Sequence, residues 1–125
     1  TDGIDAGFAT LVRARADAFL ISPDALFVTR RVQLLTLAAR HMIPALYHRR
    51  EFTDAGGLMS YGSSLTDQFR QTGIYAGRIL KGENPAEMPV QLPTTFEFVI
   101  NLQTARTLGI HIPTILLARA DEVIE

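Results

Sequence analysis

Hydrophobic residues recur along the chain in two spacings, one typical of helices and the other of buried strands. In residues 4–14, Ile4, Phe8 and Leu11 fall at i, i+4 and i+7, on one face of a helix. The next apolar run, at 16–21, is short and ends in a Ser-Pro-Asp turn, as expected of a buried strand. By the same criteria, helices are predicted at 29–40 and 64–80, strands at 43–47 and 58–61, and a brief helical turn at 50–54.

The last third of the chain follows a different pattern. Residues 81–93 contain three prolines and are predicted to form an irregular connector. An alternating strand is predicted at 94–100, and Asn101 can cap a short helix that ends at Gly109. Beyond Pro113 the tail is too apolar for a free terminus.

Strands that alternate with helices at this spacing predict an α/β fold, in which a parallel sheet carries helices on both faces. Because the chain begins with a helix, its sheet is expected to lack a first strand. The first three residues, Thr-Asp-Gly, include no initiator Met, basic segment or apolar leader. The sequence is therefore expected to be a mature piece or a fragment of a longer protein.

Composition narrows the class of protein. A length of 125 residues suits one domain, and 47% hydrophobic residues are enough for a core. Twelve basic against thirteen acidic residues argue against a nucleic-acid partner, because proteins that bind nucleic acids carry a basic face. The absence of cysteine excludes disulfides and thiolate metal sites, and the sequence has no apolar run of 18 residues that would predict a transmembrane helix.

Polar and aromatic side chains follow three of the predicted strands, at the ends where ligands of open α/β sheets bind. The segments 22–24, 47–51 and 60–64 offer hydroxyls, carboxylates, aromatic rings and guanidinium groups. This set suits a small polar or amphipathic molecule with a carboxylate or an aromatic part. The candidate ligand-binding residues are Ser22, Asp24, Tyr47, Arg50, Ser60, Tyr61 and Gly62.

Structural roles remain open for four of these residues. Asp24 could only cap a turn, and Arg50 could be a solvated cation. Tyr47 and Tyr61 could be core rings whose hydroxyls are satisfied at the edge of the sheet. His48 is interpreted as a loop residue, since no second His or carboxylate stands at metal-binding spacing, and no metal site is predicted.

Sequence signatures of common enzymes are missing. The chain has no Gly-x-Ser-x-Gly elbow, no His-Glu-x-x-His and no Walker-type glycine loop. Gly73 and Gly77 lie inside a predicted helix, where they allow close packing and cannot cradle a phosphate. We therefore expect no catalytic residues and no cofactor.

Several segments together resemble the ABC transporter substrate-binding proteins with a type I periplasmic binding fold; they are residues 16–24, 57–62, 73–83, 96–105 and 116–124. The resemblance covers almost the whole chain and implies the C-terminal portion of a two-lobed protein. Residues 1–93 would form most of the second lobe. Residues 94–125 would supply a crossover strand, a short helix and a tail that packs on the first lobe.

The resemblance implies a solute-binding component of an ABC uptake transporter, which captures a small organic molecule, such as an amino-acid-like or aromatic one, between two lobes. The full-length protein would be exported to a bacterial periplasm and would deliver its ligand to an ABC permease. The cleft-facing positions in this family correspond to Ser22, Asp24, Tyr47, Ser60, Tyr61 and Gly62. The alternative is an effector-binding domain of a transcription regulator with the same fold, and a flavodoxin-like enzyme is a more distant third.

The apolar tail also predicts an oligomeric state. By the resemblance, its natural partner is the first lobe, which this sequence does not include. Leaving several large apolar side chains in water is costly, at about 1.5–3 kcal/mol each. We therefore expect a homodimer that exchanges residues 94–125 about the proline-rich connector.

Overall fold

A computed structural model describes residues 2–125. The chain forms two compact units. The first unit comprises the residues up to Gly62 together with Glu97–Glu125, and the second comprises Ser63–Phe96. The predicted division into residues 1–93 and 94–125 concerns lobes of a longer protein and stays a prediction.

Seven α-helices and five strands are found in residues 2–125. The helices are α1 (Asp2–Arg13), α2 (Ala25–Thr29), α3 (Arg31–Arg40), α4 (Arg50–Asp54), α5 (Leu65–Leu80), α6 (Leu102–Thr107) and α7 (Thr114–Leu117). A single 3-10 turn spans Pro85–Glu87. The strands are β1 (Phe19–Leu20), β2 (Ala45–Tyr47), β3 (Met59–Ser63), β4 (Phe96–Asn101) and β5 (Glu122–Ile124). None of the described helices is both long and apolar enough to span a bilayer.

The five strands form one sheet in the order β1-β2-β3-β4-β5. The pairs β1–β2, β2–β3 and β4–β5 are parallel, and Tyr47 lies opposite Ser60. The amide of Asn101, at the end of β4, donates to the carbonyl of Leu58, just before β3, over 2.8 Å. The end of β4 therefore lies beside the start of β3. The predicted α/β fold with a largely parallel sheet is confirmed, and β4 and β5 run opposite to the first three strands.

The apolar faces of the first unit meet in two clusters. In one cluster, Ile4 and Phe8 of α1 pack with the buried rings of β2 and α4. The other cluster contains Leu58, Ile100 and Ile112. These side chains are almost fully removed from water. Burial of this kind contributes about 25 cal/mol per Å² of apolar surface.

The apolar tail packs within its own chain. Leu116 and Leu117 of α7 pack against the second cluster, and β5 pairs with β4 in the register Val99 to Glu122. The expectation that the tail needs a partner outside the sequence is thus wrong for these residues, because β4 and the residues around Ile100 supply that partner. Exchange of residues 94–125 between two chains is therefore not needed to bury these tail residues. The homodimer itself stays a prediction.

The second unit contains α5 and the proline-rich segment that follows it. The hydroxyl of Ser64 caps α5 by accepting from the amide of Asp67, as the Ser-x-x-Asp pattern predicts. The Tyr75 hydroxyl donates to the Pro89 carbonyl over 2.6 Å, which ties the segment to the helix. Arg78 and Glu83 form an ion pair at the end of α5.

Candidate functional site

The strand directions bring several polar segments of the first unit to one side of the sheet. The carboxyl ends of β1, β2 and β3 lie on the same side as the starts of β4 and β5, because β4 returns past β3. We call this side the carboxyl rim, and it comprises residues 21–24, 48–51, 60–62, 97–98 and 121–122. In open α/β sheets, ligands bind beyond the carboxyl ends of the strands.

The first segment of the rim follows β1. Ser22 is exposed, and Asp24 is also exposed. Oδ1 of Asp24 accepts a hydrogen bond from the amide of Leu26 over 2.7 Å and so caps α2. A cap of this kind contributes about 1 kcal/mol. Asp24 therefore has the structural role that the sequence left open, and its exposure leaves the carboxylate accessible from solvent.

The two candidate tyrosines occupy different environments. Tyr47 is 2% exposed, and its ring stacks on Phe52 at a centroid distance of 4.8 Å. Burial raises the pKa of Tyr47 to about 12. The position of Tyr47 does not support its predicted contact with a ligand, because its ring has almost no accessible surface. Tyr61 is 55% exposed, and it meets Phe98 edge-on at 6.3 Å between ring centroids.

Ser60 and Gly62 flank Tyr61 on β3. Ser60 is buried, and its Oγ has no hydrogen-bond partner within residues 2–125. Buried hydroxyls are usually paired, because an unpaired one costs about 1–3 kcal/mol. A Cβ added at Gly62 would overlap the carbonyl oxygen of His48 and come within 2.9 Å of its carbonyl carbon. Gly62 therefore lets the ends of β2 and β3 approach each other closely.

Arg50 is held by carboxylates rather than left in solvent. Its guanidinium contacts Asp54 at 3.2 Å, Glu122 at 2.9 Å and Glu97 at 3.9 Å. Hydrogen bonds to Asp54 and Glu122 raise the pKa of Arg50 above its ordinary value. Glu97 and Glu122 could not be predicted from the sequence as partners of Arg50, because they lie 47 and 72 positions away from it and no short spacing links them.

His48, which is interpreted from the sequence as a loop residue, directly follows β2. Its ring lies 5.6 Å from that of Phe52, at an interplanar angle of 55°. Its Nδ1 atom is buried without a hydrogen-bond partner in the described part of the chain. Burial and the Arg49 guanidinium lower the pKa of His48. Both effects favour the neutral form of the imidazole.

The rim combines the exposed aromatic ring of Tyr61 with the exposed polar side chains of Ser22 and Asp24 and with several further carboxylates. Such a set can hold an aromatic or amphipathic molecule by stacking and by a few hydrogen bonds. Among the described residues, no group of three or more His, Cys, Asp or Glu side chains is placed to hold a metal ion.

Comparison with known proteins gives the same picture of the fold. A family model described as ABC transporter substrate binding protein matches residues 6–124. No curated protein matches the chain.

Solved structures resemble the chain over nearly its whole length. An ABC domain from Streptococcus pneumonia in complex with L-Trp is 28% identical, with a TM-score of 0.87, and the match covers 98% of this chain and 42% of that one. A conserved domain protein from Vibrio cholerae O1 biovar eltor is 25% identical, with a TM-score of 0.85 and coverages of 96% and 40%. A ligand-free, open substrate binding protein with adhesive properties from Clostridium difficile shares the fold at 22% identity, a TM-score of 0.66 and coverages of 98% and 41%. The chain thus spans about two fifths of the length of the structures it matches.

Proposed function

Because the chain belongs to the ABC transporter substrate-binding protein family, we propose that it is part of the solute-binding component of an ABC uptake transporter. It binds a small organic solute at the carboxyl rim and catalyses no reaction. In the whole protein, two lobes capture the solute and deliver it to a membrane permease. The whole protein acts in the periplasm after export.

The observation that carries this proposal is the exposed ring of Tyr61. Large aromatic side chains are usually buried, and one held at the rim by Phe98 offers a rigid apolar surface. The polar atoms of Ser22, Asp24 and Arg50 belong to the same rim and can orient a solute, whereas Ser60 is buried beside them. Gly62 contributes by keeping the backbone close to His48.

An aromatic amino acid is the solute class that these features favour. Stacking on Tyr61 suits a planar ring, and such pairs contribute about 0.5–1.5 kcal/mol beyond the area they bury. A similar structure, 28% identical, contains L-Trp. This similarity supports the same class of solute here.

The test is a titration of the chain with L-tryptophan, followed by NMR. If the chain supplies half the contacts of a micromolar site, its own affinity is about millimolar. We expect shifts at Ser22 and Tyr61, and Tyr61→Leu should weaken binding several-fold. Tyr47→Phe is the matched control, because it changes a buried tyrosine and should leave binding unchanged. Equal effects of the two substitutions, or no shifts at the rim, would contradict the proposal.

The genes beside the one that encodes this chain would distinguish a transporter component from the alternative, a transcription regulator. A capture protein is expected beside permease and ATPase genes, and its gene should encode a secretion signal. A helix-turn-helix segment upstream of this sequence in the parent gene would favour the transcription regulator.

A further inference from the structure

Helix α5 carries an apolar stripe that is exposed in the described part of the chain. Six apolar or small residues fall at i, i+4, i+8, i+11, i+12 and i+15, on one side of the helix; they are Leu65, Phe69, Gly73, Ala76, Gly77 and Leu80. Phe69 is 69% exposed and Leu80 is 88% exposed, and no residue of α5 is buried. A Cβ added at Gly73 or Gly77 would meet nothing within 4 Å. The stripe is therefore largely open to solvent.

The proline-rich segment packs on a different side of α5. The Tyr75 hydroxyl donates to the Pro89 carbonyl, and Gln71, Tyr75 and Ile79 line the groove between the helix and the segment. Because 3.6 residues make one turn, Gln71 and Tyr75 lie on the side of the helix opposite the stripe. Residues 64–95, all of them described, contain no strand and no α-helix other than α5. The second unit thus offers the stripe neither a sheet nor a second α-helix to pack against.

The composition of the stripe indicates what kind of surface would cover it. An α-helix buries its apolar stripe against another helix or against a sheet, and large exposed apolar patches mark interaction surfaces. The stripe has no charged residue, so its partner is an apolar surface rather than an acidic or a basic one. Gly73 and Gly77 carry no side chain and therefore let that surface approach the helix closely.

The lengths of the similar structures indicate where this surface lies. Their matches cover 96–98% of this chain but only 40–42% of each matched structure. More than half of each of those proteins therefore lies outside the match and can supply a further apolar face. The tail of this chain is not free for such a contact, because Leu116 and Leu117 already pack against the second cluster.

We propose that the apolar stripe of α5 docks on the first lobe of the whole protein, against the apolar face of the sheet in that lobe. Residues 63–96 then contribute a helix to the first lobe, and the chain crosses to it after Gly62 and returns before Glu97. This division differs from the predicted one, in which residues 1–93 belong to the second lobe. The inference rests on the two-lobed whole protein of the proposed function.

The experiment measures how fast a thiol on the stripe reacts with iodoacetamide. This chain has no cysteine, and Ala76→Cys places one in the middle of the stripe. Arg78→Cys is the matched control, because it lies two residues further on, on the other side of the helix, and the side chain of Arg78 is 40% exposed. The labelled peptides are identified by mass spectrometry, so that thiols elsewhere in the whole protein do not interfere.

We expect both variants of the 125-residue chain to react at similar rates. In the whole protein, Ala76→Cys should react at least about tenfold more slowly than Arg78→Cys, with or without L-tryptophan. Equal rates in the whole protein would overturn the inference. Protection that disappears on dilution would assign the stripe to a contact between two copies, and protection that appears only with L-tryptophan would assign it to closure around the solute; both results also overturn it.

A bulky side chain on the stripe gives a second measurement. Gly77→Leu should leave the stability of the 125-residue chain unchanged or raise it, because an added Cβ meets nothing there and leucine favours a helix more than glycine does. In the whole protein the same change overpacks the contact and should lower the midpoint of thermal unfolding. An unchanged or raised midpoint in the whole protein would contradict the docking of the stripe.

Binding of L-tryptophan to the whole protein distinguishes this inference from the proposed function. If Ala76→Cys is protected and L-tryptophan does not bind, the stripe is docked and the proposed solute class is wrong. If L-tryptophan binds and Ala76→Cys reacts as fast as Arg78→Cys, the proposed function stands and the docking of α5 is wrong.

Discussion

The backbone of Gly62 lies against the backbone carbonyl of His48, with no room for a side chain between them. The two residues lie side by side near the ends of the neighbouring parallel strands β2 and β3, in which Tyr47 pairs with Ser60. This close approach sets the spacing of the two strand ends, which carry His48 and the exposed ring of Tyr61. One glycine therefore supports the part of the rim that carries Tyr61, the ring on which the proposed function rests.

Replacing this glycine should damage the rim. Gly62→Ala places a Cβ on the His48 carbonyl, so the strand ends must move apart, and we expect a loss of about 2 kcal/mol in the free energy of unfolding. Gly7→Ala is the control: Gly7 is exposed within α1, has nothing within 4 Å of an added Cβ, and should stabilise the chain by about 0.5–1 kcal/mol. Urea unfolding measures both. Equal stability of the two variants would show that the strand ends are not in close contact.

The two possible roles of Asp24 can be separated by a pair of variants. Asp24→Asn retains a side-chain oxygen for the Leu26 amide and should keep the stability of the chain within about 0.5 kcal/mol. Asp24→Ala removes the cap and should cost about 1 kcal/mol. If the carboxylate also binds the ammonium group of an amino-acid solute, both variants should weaken L-tryptophan binding. A loss confined to Asp24→Ala would assign Asp24 to capping alone.

Arg50 should contribute more to stability than an isolated surface cation. It links α4 to Glu97 and Glu122 at the starts of β4 and β5. We expect Arg50→Met to lower the free energy of unfolding by about 1 kcal/mol, and added salt to reduce the difference. Arg70→Met is the control, because Arg70 is 61% exposed and pairs only with Asp67 among the ion pairs described, and it should cost under about 0.5 kcal/mol. A larger loss for Arg70→Met would contradict this ranking.

The sequence predicts the long elements well and the tail poorly. Helices α1 and α5 carry apolar residues at helical spacing and have clear ends, so periodicity identifies them. Strand β5 has only three residues, and it is a strand because Glu122 and its neighbours pair with β4. Pairing between distant segments leaves no periodic signal in a run this short.

The candidate site, like the fold, could be predicted from the sequence only in part. Topology predicts which segments reach the rim, but it does not predict which way each side chain points. Tyr47 and Tyr61 both lie at the carboxyl ends of predicted strands, yet Tyr47 is opposite Ser60, and Tyr61 is one position further along. Because successive side chains in a strand alternate between its faces, one tyrosine enters the core and the other is exposed.

The lowered pKa of His48 predicts how stability depends on pH. Burial and Arg49 favour the neutral imidazole in the folded chain. Below the ordinary histidine pKa of about 6.5, the unfolded chain therefore binds a proton more readily than the folded one. The free energy of unfolding should fall as the pH drops below that value, and level off below the folded-state pKa.

His48→Gln isolates this effect, because His41 and His111 are present in both proteins and their contributions cancel. The parent chain should lose stability relative to His48→Gln between about pH 7.5 and pH 5, with a slope of at most about 1.4 kcal/mol per pH unit. Urea unfolding across this range measures the difference. A difference that grows in favour of the parent chain as the pH falls would mean that the Ile21 backbone and Glu51 outweigh burial and Arg49, and that the fold favours the cationic imidazole.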